Sequence, residues 1–140
     1  MSPDDIKKRI VNEIKARAYD DKYIDRNEER EIVRIAIELG VTVESALAAL
    51  ATVCDEFGYV LESRVVKQIA EQFATAAAGG KIDRRAFDGV FDTVKRAVDG
   101  KKTERDVKKL MVQVLEATGT RVKTGWFTDW YASLKKDLGV

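Results

Sequence analysis

The stretch YDDKYIDRNEEREI, residues 19–32, holds six carboxylates and then runs into an apolar helix. Carboxylate oxygens crowded at a turn are what a hard cation such as calcium or magnesium needs. The same residues are also what the start of a helix needs, because acidic side chains cap its free N–H groups and complement its dipole. Both readings fit Asp25 and Glu28, which stand in capping-box spacing. Glu28 and Glu31 can also pair along the helix with cations such as Arg34.

The rest of the chain narrows the chemistry. It has no histidine and one cysteine, Cys54. That removes the usual general base, imidazole metal ligands and thiolate zinc sites, and leaves no internal disulfide. Cys54 sits on an apolar helix stripe and reads as a buried small hydrophobe without a base to activate it. The expectation is therefore a protein that is not an enzyme. The opening MSPDDIKKRI lacks the apolar core of a secretory signal, and no apolar run approaches the roughly 20 residues of a membrane span. A reducing cytoplasm is the expected setting.

Two further clusters stand out. Lys101, Lys102, Arg105, Lys108 and Lys109, with Arg121 and Lys123 nearby, offer a basic face on one helix. Such a face could meet the phosphates of a nucleic acid, or it could be a solvated surface. Residues 1–80 carry 11 Lys and Arg against 15 Asp and Glu, and residues 81–140 carry 14 against 9. The segment GWFTDWYASL, residues 125–134, carries more aromatic surface than one helix stripe uses. Trp126, Trp130 and Tyr131 are the candidate residues for meeting a protein partner; the other reading is a helix that seals the core.

The elements that position these residues are all helical. At 45% apolar and 35% charged residues, the composition suits a folded, well-solvated domain, and the length suits a single one over residues 1–140. Ser2, Asp25, Thr42, Asp83 and Thr103 each precede an amphipathic run, and Gly40, Gly58 and Gly79-Gly80 fit the stops. Apolar residues recur at helical spacing: Ile6, Ile10 and Ile14; Ile32, Ile35, Ala36 and Leu39; Ala46, Leu47, Leu50, Val53, Cys54 and Phe57. Val65, Ile69 and Phe73 follow, then Phe87, Val90, Val94 and Val98, then Val107, Leu110, Met111 and Val114. A last helix is predicted from Thr124-Gly125, with Phe127, Trp130, Leu134 and Leu138 on it. These spacings predict an all-α bundle of about seven helices, with no strand and with short links.

A turn recurs: DDKYIDRNEERE, AGGKIDRRAFDG and VDGKKTERDVKK. In the first two an isoleucine, Ile24 or Ile82, precedes the capping aspartate; Lys102 holds that place in the third. The isoleucines are expected to pin the turns to the core. Placed in the register of an EF-hand loop, Asp21, Asp25 and Glu28 take ligand positions 5, 9 and 12, but Arg17 and Tyr19 take positions 1 and 3. A cation at position 1 makes this no calcium loop of that kind.

The phrase DKYIDRNEEREIVRIAIELG resembles the tellurite-resistance TerB-like family, whose pattern Asp-Gly-x-Ile-x-x-x-Glu opens a helix running to a Leu-Gly stop. Lys22 stands where the pattern has glycine, and GGKIDRRAFDGVF is a weaker second copy without the two acids. The resemblance covers about 20 residues by motif and leaves the last 25 residues unexplained. It implies an all-helical cytoplasmic fold with internal pseudo-symmetry, working in stress response, metal resistance or signalling. It also implies a divalent cation, calcium or magnesium, at an acidic turn, with Asp21 and Glu28 as the matching ligands; Asp25 is added by local geometry. The expected function is a TerB-like module for protein–protein interaction, the alternative being nucleic-acid or phosphate binding through the basic face.

Overall fold

The structure is a computed structural model that describes residues 1–140. It is all-α in class: seven helices, with four strands of two residues each in the links. The helices are α1 (Pro3–Arg17), α2 (Arg26–Glu38), α3 (Val43–Phe57), α4 (Glu62–Ala76), α5 (Arg84–Val98), α6 (Glu104–Thr118) and α7 (Trp130–Leu138). The strands are β1 (Tyr23–Ile24), β2 (Val60–Leu61), β3 (Lys81–Ile82) and β4 (Arg121–Val122). The chain divides into two compact units, Met1–Ser63 and Arg64–Val140, with the boundary in the first turn of α4.

Local chemistry sets the helix starts. The side chains of Ser2, Asp25, Thr42, Asp83, Thr103 and Asp129 each accept the N–H three residues on. Each thereby satisfies one donor that a helix start leaves open. Ser2 with Asp5, and Asp25 with Glu28, form reciprocal boxes.

In the first unit β1 pairs with β2 in parallel, Tyr23 with Val60 and Ile24 with Leu61. Ile24 of that pair forms a buried cluster with Ile14, Ile32, Ala36, Leu50 and Cys54, contributed by α1, α2 and α3. Arg17, near the end of α1, donates to the Glu31 carboxylate on α2 at 3.2 Å and so ties the two helices outside the core. In the second unit β3 pairs with β4 in parallel, Lys81 with Arg121 and Ile82 with Val122. Its buried side chains include Phe73, Ile82, Phe87, Val94, Met111 and Leu115.

Both isoleucines of the recurring turn are fully buried. They enter the core from strands, which corrects the expectation of no strand. Two-residue strands carry no periodicity to read, and their partners lie far along the chain. The third turn, before Thr103, forms no strand; it is a helix–helix link like Gly40–Thr42. The true counterparts of the isoleucine turns are β2 and β4. Lys22 occupies the left-handed region at φ 54°, and Gly80, its counterpart before β3, lies at φ 78°. A lysine thus holds a conformation that glycine adopts without strain.

Leu47 and Phe57, placed by spacing on the buried face of α3, are exposed. The helix is apolar over more of its circumference than its neighbours cover. The last helix starts later than predicted, because Asp129 is its cap; Phe127 therefore lies in the preceding loop and not on the helix.

Candidate functional site

At the acidic corner, the three carboxylates are held by the turn itself. Asp21 Oδ1 accepts the Tyr23 N–H at 3.1 Å. Asp25 Oδ1 accepts the Glu28 N–H at 2.7 Å, and Glu28 Oε1 accepts the Asp25 N–H at 3.1 Å. Burial raises the Glu28 pKa, with the Asp25 and Asp21 carboxylates adding to the rise against the opposing Asp25 N–H bond. No group of three or more Asp, Glu or Cys side chains in the chain is arranged to hold a metal ion. Each carboxylate has an oxygen on a backbone N–H: Asp25 and Glu28 as the helix-start reading expects, Asp21 within the turn before β1.

A glutamate whose folded pKa lies above its ordinary value of 4.5 favours folding when protonated. That contribution is full below the unfolded pKa and is lost as pH rises through the folded one. Glu28→Gln keeps an oxygen for the Asp25 N–H and removes the charge. Its stability relative to wild type should therefore improve from pH 4 to pH 7, read by urea unfolding at both. A constant difference between the two pH values would show that the Glu28 charge is not disfavoured here.

Next to the corner, Tyr23 is buried, and its hydroxyl donates to Glu62 Oε2 at 2.6 Å. Arg26 Nε donates to Glu62 Oε1 at 3.0 Å. Burial, then the Glu62 carboxylate, push the phenol pKa far up, so Tyr23 stays protonated and donates to that carboxylate. This trio joins β1 and α2 to Glu62, the residue following β2.

The aromatic segment divides into two parts. Trp130 and Tyr131, half-buried at the start of α7, hold that helix in place. The Trp130 ring lies 5.4 Å from Phe87, and its Nε1–H donates to the Lys123 carbonyl at 2.9 Å. The Tyr131 hydroxyl donates to Glu116 Oε1 at 3.0 Å, and Lys135 sits over its ring at 4.8 Å. Trp126 and Phe127 are the opposite case: 98% and 97% exposed. They occupy the apex of a narrow loop. The Gly125 N–H donates to the Thr128 carbonyl at 3.0 Å, and the loop is fixed at its base by Lys123 and by the Asp129 cap. Of the three aromatic candidates, then, only Trp126 is freely accessible. Its accessible neighbour is Phe127, which helical spacing had placed on the last helix.

The basic cluster is largely engaged within its own unit. The Arg105 guanidinium donates to the Asp137 and Leu138 carbonyls at 2.7 and 2.8 Å, closing the end of α7. Lys101 pairs with Asp99 at 3.3 Å, and Lys108 lies over the Phe91 ring at 4.9 Å. Lys102 and Lys109 are half-buried. Cys54 is buried in the core of the first unit. No helix is long and apolar enough to cross a membrane.

Comparison with known protein families, curated proteins and solved structures finds no match to this chain.

Proposed function

We propose that the chain is a non-enzymatic, TerB-like helical module that works by protein–protein contact in a cytoplasmic stress-response or signalling setting. One observation carries the contact reading: two adjacent large aromatic side chains, Trp126 and Phe127, stand almost wholly in solvent at the apex of a pinned loop. An aromatic pair in water is a free-energy cost to the isolated chain, and rigid aromatic anchors carry much of the binding energy in protein interfaces. A loop already fixed at its base loses little freedom on binding.

The family resemblance supports the module's setting. The cation it implies would rest on Asp21 and Glu28, with Asp25 added by local geometry; one oxygen of each already accepts a backbone N–H, and contact through the aromatic loop is the reading put forward. Among the basic residues Lys101, Lys102, Arg105, Lys108 and Lys109, Arg105 already serves the end of α7 and Lys101 already pairs with Asp99.

The test is a photo-crosslinker at the loop apex. Phe127→p-benzoylphenylalanine, expressed in cells and irradiated, should give discrete protein adducts. The same replacement at Tyr19, also exposed but at the end of α1, should not give them. Identical adduct patterns at the two positions would overturn the reading.

A further inference from the structure

A second apolar feature lies in the first unit. Between α1 and α3 runs a groove of about 740 Å³, with Ile10 and Val53 as its floor and Ile6 and Phe57 among its walls. Lys7, Lys15 and Glu56 stand on it, and Lys15 Nζ sits 4.3 Å above the Phe57 ring. The groove is of the size that holds a compact apolar ligand. Its lysines favour an aromatic occupant, because an ammonium group is attracted to the face of a ring, most strongly to that of tryptophan.

We propose that the Trp126–Phe127 loop of one copy docks into the α1/α3 groove of a second copy. The proposal rests on reading that loop as a contact surface, and it names the partner. Two observations select a second copy. The chain presents both a lysine-bordered apolar groove and an exposed aromatic pair. The two units that carry them also have opposite charge: residues 1–63 hold 9 Lys and Arg against 14 Asp and Glu, while residues 64–140 hold 16 against 10. Opposite net charges steer the loop-bearing unit of one copy onto the groove-bearing unit of another. The contact joins two different surfaces and is therefore head to tail. Two aromatic side chains bury about 150–250 Å² each, so both sides together fall below the roughly 1,200 Å² of a stable interface. The association is accordingly weak and transient.

Sedimentation equilibrium of the full chain from about 10 µM to 1 mM reads this directly. The mean mass of wild type should climb from 15.7 kDa with concentration. The double variant Trp126→Ala, Phe127→Ala, which alters only exposed side chains, should stay at monomer mass. So should Thr52→Arg, a change at an exposed position lining the groove. An equimolar mixture of these two proteins should recover association and stop at twice the monomer mass, because one retains the groove and the other the loop. Far-UV circular dichroism checks the fold of each variant. A wild-type chain that stays monomeric at 1 mM overturns the proposal. Undiminished association of the loop variant overturns it, and so does a mixture that remains monomeric. If wild type is monomeric while the position-127 adducts persist on another protein, the self-docking fails and the contact reading survives. If those adducts match the Tyr19 control as well, both fall.

Discussion

Ile24→Ala should lower the stability of the first unit by about 2–5 kcal/mol, and Ile24→Val by only about 0.5–1.5 kcal/mol. Ile24 is 0% exposed and lies in β1 between a buried tyrosine and the cap of α2. It belongs to the cluster that α1, α2 and α3 share. Truncation loses the transfer free energy of the removed carbons and leaves a cavity. The walls of that cavity are poorly placed to collapse, since β1 is held to β2 by backbone pairing and Tyr23 is held by Glu62. Amide hydrogen exchange over residues 1–63 reads the loss in the unit concerned, without assuming that the whole chain unfolds in one step. Ile82→Ala, the matching change at β3, should cost a similar amount over residues 64–140. A loss below about 1 kcal/mol at either site would mean that the strand turn merely rests on the core.

The isoleucine–aspartate turns show what the sequence can and cannot disclose. A cap is local: an aspartate followed by a helical stripe finds its own N–H three residues on, so Asp25 and Asp83 are legible at sight. The isoleucine before each cap is legible as well, because a large apolar residue in a polar turn must go somewhere dry. Its strand partner is not legible. Tyr23 pairs with Val60 and Lys81 with Arg121, across intervals that contain two helices. A two-residue strand cannot display alternation, so the resemblance among the three acidic or glycine-rich turns overshadowed the β2 and β4 segments that they lead to.

The same distinction governs the candidate site. The aromatic segment stands out by composition, but helical spacing extends α7 back to Gly125 and so puts Phe127 on the helix. The available signal was Asp129, itself a strong cap residue, three positions before Ala132. Starting the helix there releases Trp126 and Phe127 into a loop. Exposure itself was beyond reach, because whether a ring is covered depends on the surface facing it. Phe57 makes the point in the other unit: it stands in phase with Leu50 and Val53, yet at the last turn of α3 it has only Tyr59 and the Lys15 ammonium against its ring and stays exposed. The basic face is legible only in part. Positions 101–109 place the charges, but nothing local discloses that Arg105 reaches the carbonyls closing α7.

Phe87→Ala should cost about 3–5 kcal/mol, a large share of the roughly 5–15 kcal/mol that stabilises an ordinary domain. Phe87 is buried between Phe73, with ring centroids 6.1 Å apart, and Trp130, at 5.4 Å. Removing it takes away the ring that packs directly beneath Trp130. Trp130 in turn holds the Lys123 carbonyl at the base of the aromatic loop, so the loss should reach the apex. In a Trp126→Phe background Trp130 is the remaining tryptophan. Its emission should shift to longer wavelength in Phe87→Ala as water reaches the indole. The position-127 crosslink should weaken in the same variant, although a buried Phe87 presents no surface to a partner. The conservative change Phe87→Leu, which keeps most of the apolar volume, should restore much of the stability and the crosslink together. Stability recovered without the crosslink would show that ring-on-ring contact, beyond core volume, sets the loop. An unchanged Trp130 emission in Phe87→Ala would instead show that the Lys123 hydrogen bond and the Asp129 cap hold the loop without help from the core.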